Sequence, residues 1–163
     1  MRALVFCLYS KLAICITEII TRRQRIGTFT IHGAMYSAQV LDHFENPRNV
    51  GEIGDADAGA ELENPVCGDV MRLSLRIAGE RVVEARFKAK GCVATIACGS
   101  MMTEAIRGET LVQARGVSRE RISLMLGGLP QASEHAAQLA VDVLRAALRG
   151  GASKSLDPSR RSG

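Results

Sequence analysis

Residues 70–89 read VMRLSLRIAGERVVEARFKA, and the fold turns on how that run alternates. Met71, Leu73 and Leu75 fall out of phase with Arg72, Ser74 and Arg76, the period of two that a half-buried strand requires. Ala78-Gly79-Glu80 forms a turn, and residues 81–89 alternate again with Val83, Ala85 and Phe87 assigned to one face. Two alternating runs across a short Gly-containing turn predict a β-hairpin. A further strand over 57–64 completes a three-stranded antiparallel sheet.

Downstream of Gly91-Cys92 the period becomes helical. Residues 94–107 (ATIACGSMMTEAIR) predict a helix with small residues on one side, ending at Gly108. Two short helices follow at 109–115 and 118–126, the second opened by Ser118 as N-cap and stopped by Gly127-Gly128. Residues 133–149 predict the last helix, with Leu139, Val143 and Ala147 inward and Asp142, Arg145 and Arg149 toward water. Upstream, residues 36–44 predict a helix with Ser37 as N-cap, followed by the loop ENPRNVGEIGDADAG. The class is α+β, with helices packed on one face of a small three-stranded antiparallel sheet.

This body spans 35–150 and is flanked by an extension, 1–34, and a polar tail, 151–163, expected to be disordered. The apolar run 3–20 is interrupted by Lys11 and Glu18, which argues against a membrane span. Its main basic cluster, RRQR at 22–25, follows the run, whereas a signal peptide places positive charge ahead of it. Three readings stand open: a mis-assigned start with Met35 as the true first residue, a weak membrane- or partner-binding helix, and a cleaved targeting segment.

The chain has 163 residues, 47% of them hydrophobic and 4% aromatic, so an aliphatic core is expected. Its formal charge of +4 lies in residues 1–34, where Arg2, Lys11, Arg22, Arg23 and Arg25 face Glu18 alone. The tail adds Lys154, Arg160 and Arg161 against Asp157, so the body itself is slightly acidic. Nucleic-acid binding is therefore not expected, since it needs basic residues clustered on the domain. Five cysteines, an odd number, without a secretory pattern point to a reducing, cytoplasmic setting rather than to disulfides.

Two of those cysteines sit where chemistry is favoured. In Asn64-Pro65-Val66-Cys67-Gly68-Asp69 the Pro and Gly hold a turn, so a thiolate and a carboxylate two residues apart can reach one metal. The bland alternative is a turn Asp beside a packed Cys. In Lys90-Gly91-Cys92-Val93 the thiol lies at a strand–helix junction, where unpaired N–H groups favour thiolate. If the hairpin pairs as drawn, Cys67 and Cys92 flank adjacent strand ends, about 4.8 Å apart in a sheet. Cys98 is rotated some 240° around the helix from Cys92 and reads as a buried structural thiol. Of the histidines, His32 lies in the extension, and His43 either packs on the body or faces water. His135, in the first turn of the last helix, would supply a fourth ligand to Cys67, Asp69 and Cys92. Cys, Asp and His suit tetrahedral zinc, and Cys and His also suit iron–sulfur centres.

These residues and their neighbours resemble the U-type iron–sulfur scaffolds, IscU and the N-terminal part of NifU. The resemblance runs from Met35 to about Arg149. It is carried by Tyr36-Ser37 with Asp42 through Gly51, by Cys67-Gly68-Asp69-Val70-Met71, by Phe87-Lys88 through Gly91-Cys92 with Ser100 to Glu104, and by Leu129-Pro130 and His135. It implies a scaffold, not an enzyme, that receives sulfur from a cysteine desulfurase. Iron and electrons come from separate donors, and a nascent [2Fe–2S] cluster is assembled and passed to apo-protein acceptors. Zinc can occupy the same site. Two departures stand out. Ala136 occupies the place where the family usually has its third cysteine, directly after the His. Leu129-Pro130-Gln131-Ala132-Ser133 replaces the Leu-Pro-Pro-Val-Lys stretch that binds the dedicated chaperone, putting that partner in doubt. The alternative is a zinc-binding regulatory or interaction protein of the same family that no longer builds clusters. A hydrolytic zinc enzyme is disfavoured, because no second carboxylate or His lies close in sequence to serve as base. The chain offers no Ser–His–Asp spacing, phosphate loop or nucleotide fingerprint.

Overall fold

A computed structural model of the chain describes residues 30–31 and 34–150. Residues 1–29, 32–33 and 151–163 lie outside the described residues, and with them most of the extension, His32, Cys7, Cys15 and the polar tail. Two short strands, β1 (Thr30–Ile31) and β2 (Ala34–Met35), pair antiparallel as a ladder of their own. The first helix, α1 (Ala38–Glu45), starts where Ser37 Oγ accepts a hydrogen bond from the Val40 N–H.

The expected sheet forms from β3 (Ala58–Glu63), β4 (Val70–Ala78) and β5 (Arg81–Lys90), antiparallel and in the order β3-β4-β5. Met71, Leu73 and Leu75 are fully buried on the inner face, as the alternation of β4 requires. On β5 the phase differs from the sequence reading. Val82, Ala85 and Phe87 are buried, whereas Val83 is 43% exposed. The cause is a bulge: Arg76 pairs with Glu84 and Ile77 with Val82, which leaves Val83 as an extra residue. A bulge of one residue inverts the facing of everything on one side of it. Alternation alone therefore carries the wrong parity through residues 81–83.

Helices cover the inner face. The central one, α2 (Val93–Ile106), packs on β5 and is buried almost all round, which its small and apolar residues permit. Its approach is closest at Gly99, where a Cβ would stand 2.6 Å from two ring carbons of Phe87. Two short helices follow, α3 (Leu111–Arg115) and α4 (Arg119–Met125), the latter capped by Ser118 as expected. Thr110 and Gln113 form a capping box on α3. A single 3-10 turn, Gln131–Ser133, leads into α5 (Glu134–Gly150), which lies across β3 and β4 with Leu139, Val143, Leu144 and Ala147 inward.

The opposite sheet face is polar and laced with ion pairs, among them Arg72 with Glu52 and Glu61, and Lys88 with Glu52. Exposed pairs of this kind contribute little to stability. The outer edge of β5 is covered by two segments. Asn49 accepts from the Phe87 N–H and Gly51 donates to the Phe87 carbonyl, while Gly108 and Glu109 bond both backbone groups of Val82.

Candidate metal centre

The turn joining β3 to β4 is built by its own sequence. The Gly68 N–H donates to the Asn64 carbonyl at 2.8 Å, and the Asn64 side chain accepts from the Val66 N–H at 2.9 Å. Gly68 sits at φ +70°, in the left-handed region that glycine occupies without strain. The Asn64 N–H then donates to the Asp69 carbonyl at 2.8 Å, closing the loop where the β3–β4 ladder resumes. Cys67 is thereby exposed at the tip, and Asp69 points inward, only 7% exposed.

The other side of the centre comes from the far end of the chain. The Tyr36 hydroxyl lies 3.1 Å from Ser133 Oγ, tying the start of α1 to the turn ahead of α5. His135 follows in the first turn of α5, half-buried. One ligand atom each from Cys67, Asp69 and His135 lies within 4.8 Å of the others. A groove of about 490 Å³ beside them is lined by Asn64, Pro65, Val66, Arg119, His135 and Asp142, among others.

Cys92 sits at the same sheet end, two residues past the Val70–Lys90 pair, but does not join that mutual group. It is the N-cap residue of α2, and its thiol does not cap the helix. Its sulfur instead lies 3.4 Å from Thr95 Oγ1, and the Thr95 hydroxyl donates to Asp69 Oδ2. The Cys92 N–H reaches the same oxygen at 3.5 Å. The expected convergence of the two thiols is therefore indirect: both meet Asp69, but Cys92 also meets Thr95 and does not join the mutual group of Cys67, Asp69 and His135.

The electrostatics follow from this packing. Burial is the largest single influence on Asp69 and raises its pKa. It is outweighed by hydrogen bonds from Thr95, Cys92 and Cys67, so the carboxyl is held below its ordinary value. Cys67 is pushed up, first by desolvation, then by the adjacent carboxylate and the second thiol. A bound cation reverses that preference, because it takes the thiolate. Gly91 is fixed by the same contacts: a Cβ there would meet Asp69 Cγ at 2.6 Å and its oxygens at 2.8 and 2.9 Å.

Cys98 and His43 do not contribute ligands. Cys98 is fully buried, and burial drives its thiol far above the ordinary range. His43 is buried between α1 and α2, with Nδ1 2.8 Å from Ser100 Oγ and Nε2 3.6 Å from Glu104. The same Ser100 hydroxyl accepts from the Arg48 N–H at 2.8 Å. The opening motif around Asp42–Gly51 therefore binds the loop to the core rather than a metal. Thr95 went unnoticed in the sequence. The available signal was a hydroxyl residue three positions after Cys92, in the first turn of an otherwise small and apolar helix start.

Ala136, where the third cysteine was expected by resemblance, is fully buried beside His135. No described helix is long and apolar enough to cross a membrane.

Comparison with known proteins bears on the family and the fold. The family of the NifU-like N terminal domain matches residues 35–155. The iron–sulfur cluster assembly scaffold protein IscU 1 of Archaeoglobus fulgidus is 45% identical over 114 residues, covering 70% of this chain and 74% of that protein. The IscU scaffold of Escherichia coli K12 is 40% identical over 117 residues, covering 69% and 91%. Among solved structures, a NifU-like N-terminal protein from Brucella abortus superimposes with a TM-score of 0.58 at 20% identity, covering 73% of this chain and 95% of that one. That likeness speaks for the fold, a three-stranded antiparallel sheet with helices. The chain belongs to the NifU-like N-terminal domain family, that of the IscU/NifU-type iron–sulfur cluster scaffolds.

Proposed function

We propose that the chain is a scaffold on which iron and a nascent [2Fe–2S] cluster are held and then transferred to apo-proteins. The observation that carries this reading is the meeting of Cys67, Asp69 and His135 within 4.8 Å at one end of the sheet, in a domain of this family. Thiolate, carboxylate and imidazole form a donor set suited to iron or zinc. Cys92 completes the set when its sulfur turns from Thr95 toward Cys67. The cluster is cargo, and the chain turns over no substrate of its own. Sulfur comes from a cysteine desulfurase, and iron and electrons from separate donors, in the cytoplasm. The changed stretch after Leu129-Pro130 argues against use of the dedicated chaperone.

Ala136 favours a second reading. With no thiol beside His135, the set of Cys67, Asp69, Cys92 and His135 fits one tetrahedral zinc ion without further change. In that case the chain is a zinc-binding regulatory or interaction protein of the family.

Anaerobic reconstitution separates the two. With ferrous iron, cysteine, a cysteine desulfurase and a dithiol reductant to bring the delivered sulfur to sulfide, a scaffold should develop a visible chromophore and acid-labile sulfide, and Cys92→Ala and Cys67→Ala should each abolish them. A colourless protein holding one zinc and no sulfide refutes the scaffold reading in favour of the zinc one.

A further inference from the structure

We propose that Thr95 is a positioning residue for the metal centre, acting through Asp69 and Cys92; the inference rests on the metal-binding reading above. Thr95 is fully buried and touches both groups. A hydroxyl has one proton and two lone pairs. The proton goes to Asp69 Oδ2, so Thr95 Oγ1 faces Cys92 Sγ as the acceptor for the thiol proton.

Two consequences follow for the ligands. The Thr95 hydroxyl and the Cys92 N–H both donate to Oδ2, so two bonds set the pose in which the carboxylate meets a cation beside Cys67 and His135. Meanwhile Cys92 is parked 3.4 Å from Thr95 Oγ1, outside the group formed by Cys67, Asp69 and His135. Thr95 thus divides the four ligands into three that are assembled in advance and one that is held in reserve. Partners in this outer position commonly change metal affinity by 10–100-fold.

The test uses Co²⁺ as probe, read by visible absorption, and Zn²⁺ affinity by competition with a chromophoric chelator, on the full chain with thiols reduced. Thr95→Val keeps the shape and removes the hydroxyl; Thr95→Ser keeps the hydroxyl. We expect Thr95→Val to weaken Zn²⁺ binding by about 10-fold or more and to alter the Co²⁺ ligand-field bands, with Thr95→Ser close to wild type. In an Asp69→Ala background the Thr95→Val effect should shrink to the part that passes through Cys92, so the two losses should not multiply. Equal affinities for wild type and Thr95→Val overturn the proposal. Equal losses in Thr95→Val and Thr95→Ser also overturn it, since they report packing rather than the hydroxyl. A wild-type chain that takes up no Co²⁺ or Zn²⁺ sinks the metal-binding reading itself, a pattern unlike either of those.

Discussion

Gly91→Ala probes how the centre is held, because the obstacle to a side chain there is a functional group. The added Cβ would lie 2.6 Å from Asp69 Cγ, and carbon atoms pack at about 3.5–4.0 Å, so one side must yield by roughly 1 Å. Gly91 carries no left-handed backbone requirement, so the strain falls on the contact. Moving the carboxylate breaks its bond from Thr95, a hydrogen bond to a charged group worth about 1.5–3 kcal/mol. Loss of glycine's freedom in the unfolded chain offsets about 0.4–1 kcal/mol of that. The net destabilisation should be about 1–2 kcal/mol, or roughly 0.5–1 M in the urea midpoint at the slopes usual for small domains. Urea unfolding of the metal-free protein, followed by circular dichroism, measures it. Gly54→Ala is the control, since a Cβ there meets nothing within 4 Å, and it should stay within about 0.5 kcal/mol. In an Asp69→Ala background the cost of Gly91→Ala should nearly vanish. If it persists there in full, the carboxylate is not what excludes the side chain and the account of the junction is wrong.

Three further outcomes are expected. Gly99→Ala drives a methyl into the Phe87 ring and should cost about 1–3 kcal/mol by the same unfolding assay; a neutral result would mean that α2 and β5 are not in contact there. His43 is held below its unfolded value of about 6.5, chiefly by burial and then by Arg48. The unfolded chain therefore binds the extra proton first, and stability is lost as pH falls from about 6.5 through the folded pKa. His43→Gln should flatten the loss of stability between pH 7 and 5, measured by thermal melts, and an unchanged slope counts against it. In native protein Cys67 should react with iodoacetamide at pH 8 while Cys98 is labelled only after unfolding, as mass spectrometry of the peptides would show; rapid labelling of Cys98 contradicts its burial.

The sheet was legible because β4 alternates without interruption, and α1 and α4 because Ser37 and Ser118 announce their starts. The facing of residues 81–83 was not, since a bulge is set by pairing between strands and leaves no trace in the alternation of one of them. The capping box was also written in the sequence, as Thr110 followed three residues later by Gln113, but its helix of five residues is too short to show an apolar period. Within the centre, Cys67 and Asp69 could be read from a turn spanning six residues. His135 comes from the far end of the chain on a helix packed against β3 and β4, so its placement is a tertiary fact that only ligand chemistry and family resemblance foreshadowed. The contact of Cys92 with the Thr95 hydroxyl is a distance no spacing rule encodes.

The loop through Asn49, Val50 and Gly51 matters beyond the site. A sheet border with free amides and carbonyls invites a strand from another molecule. Here Phe87 already spends both groups on Asn49 and Gly51, and the stretch leading into that loop is tethered where the Arg48 amide shares Ser100 with the imidazole of His43. Acidification that charges this imidazole would slacken the tether and bare a ribbon rim. Self-association in mild acid, ahead of global melting, is the behaviour this chain's design would then display.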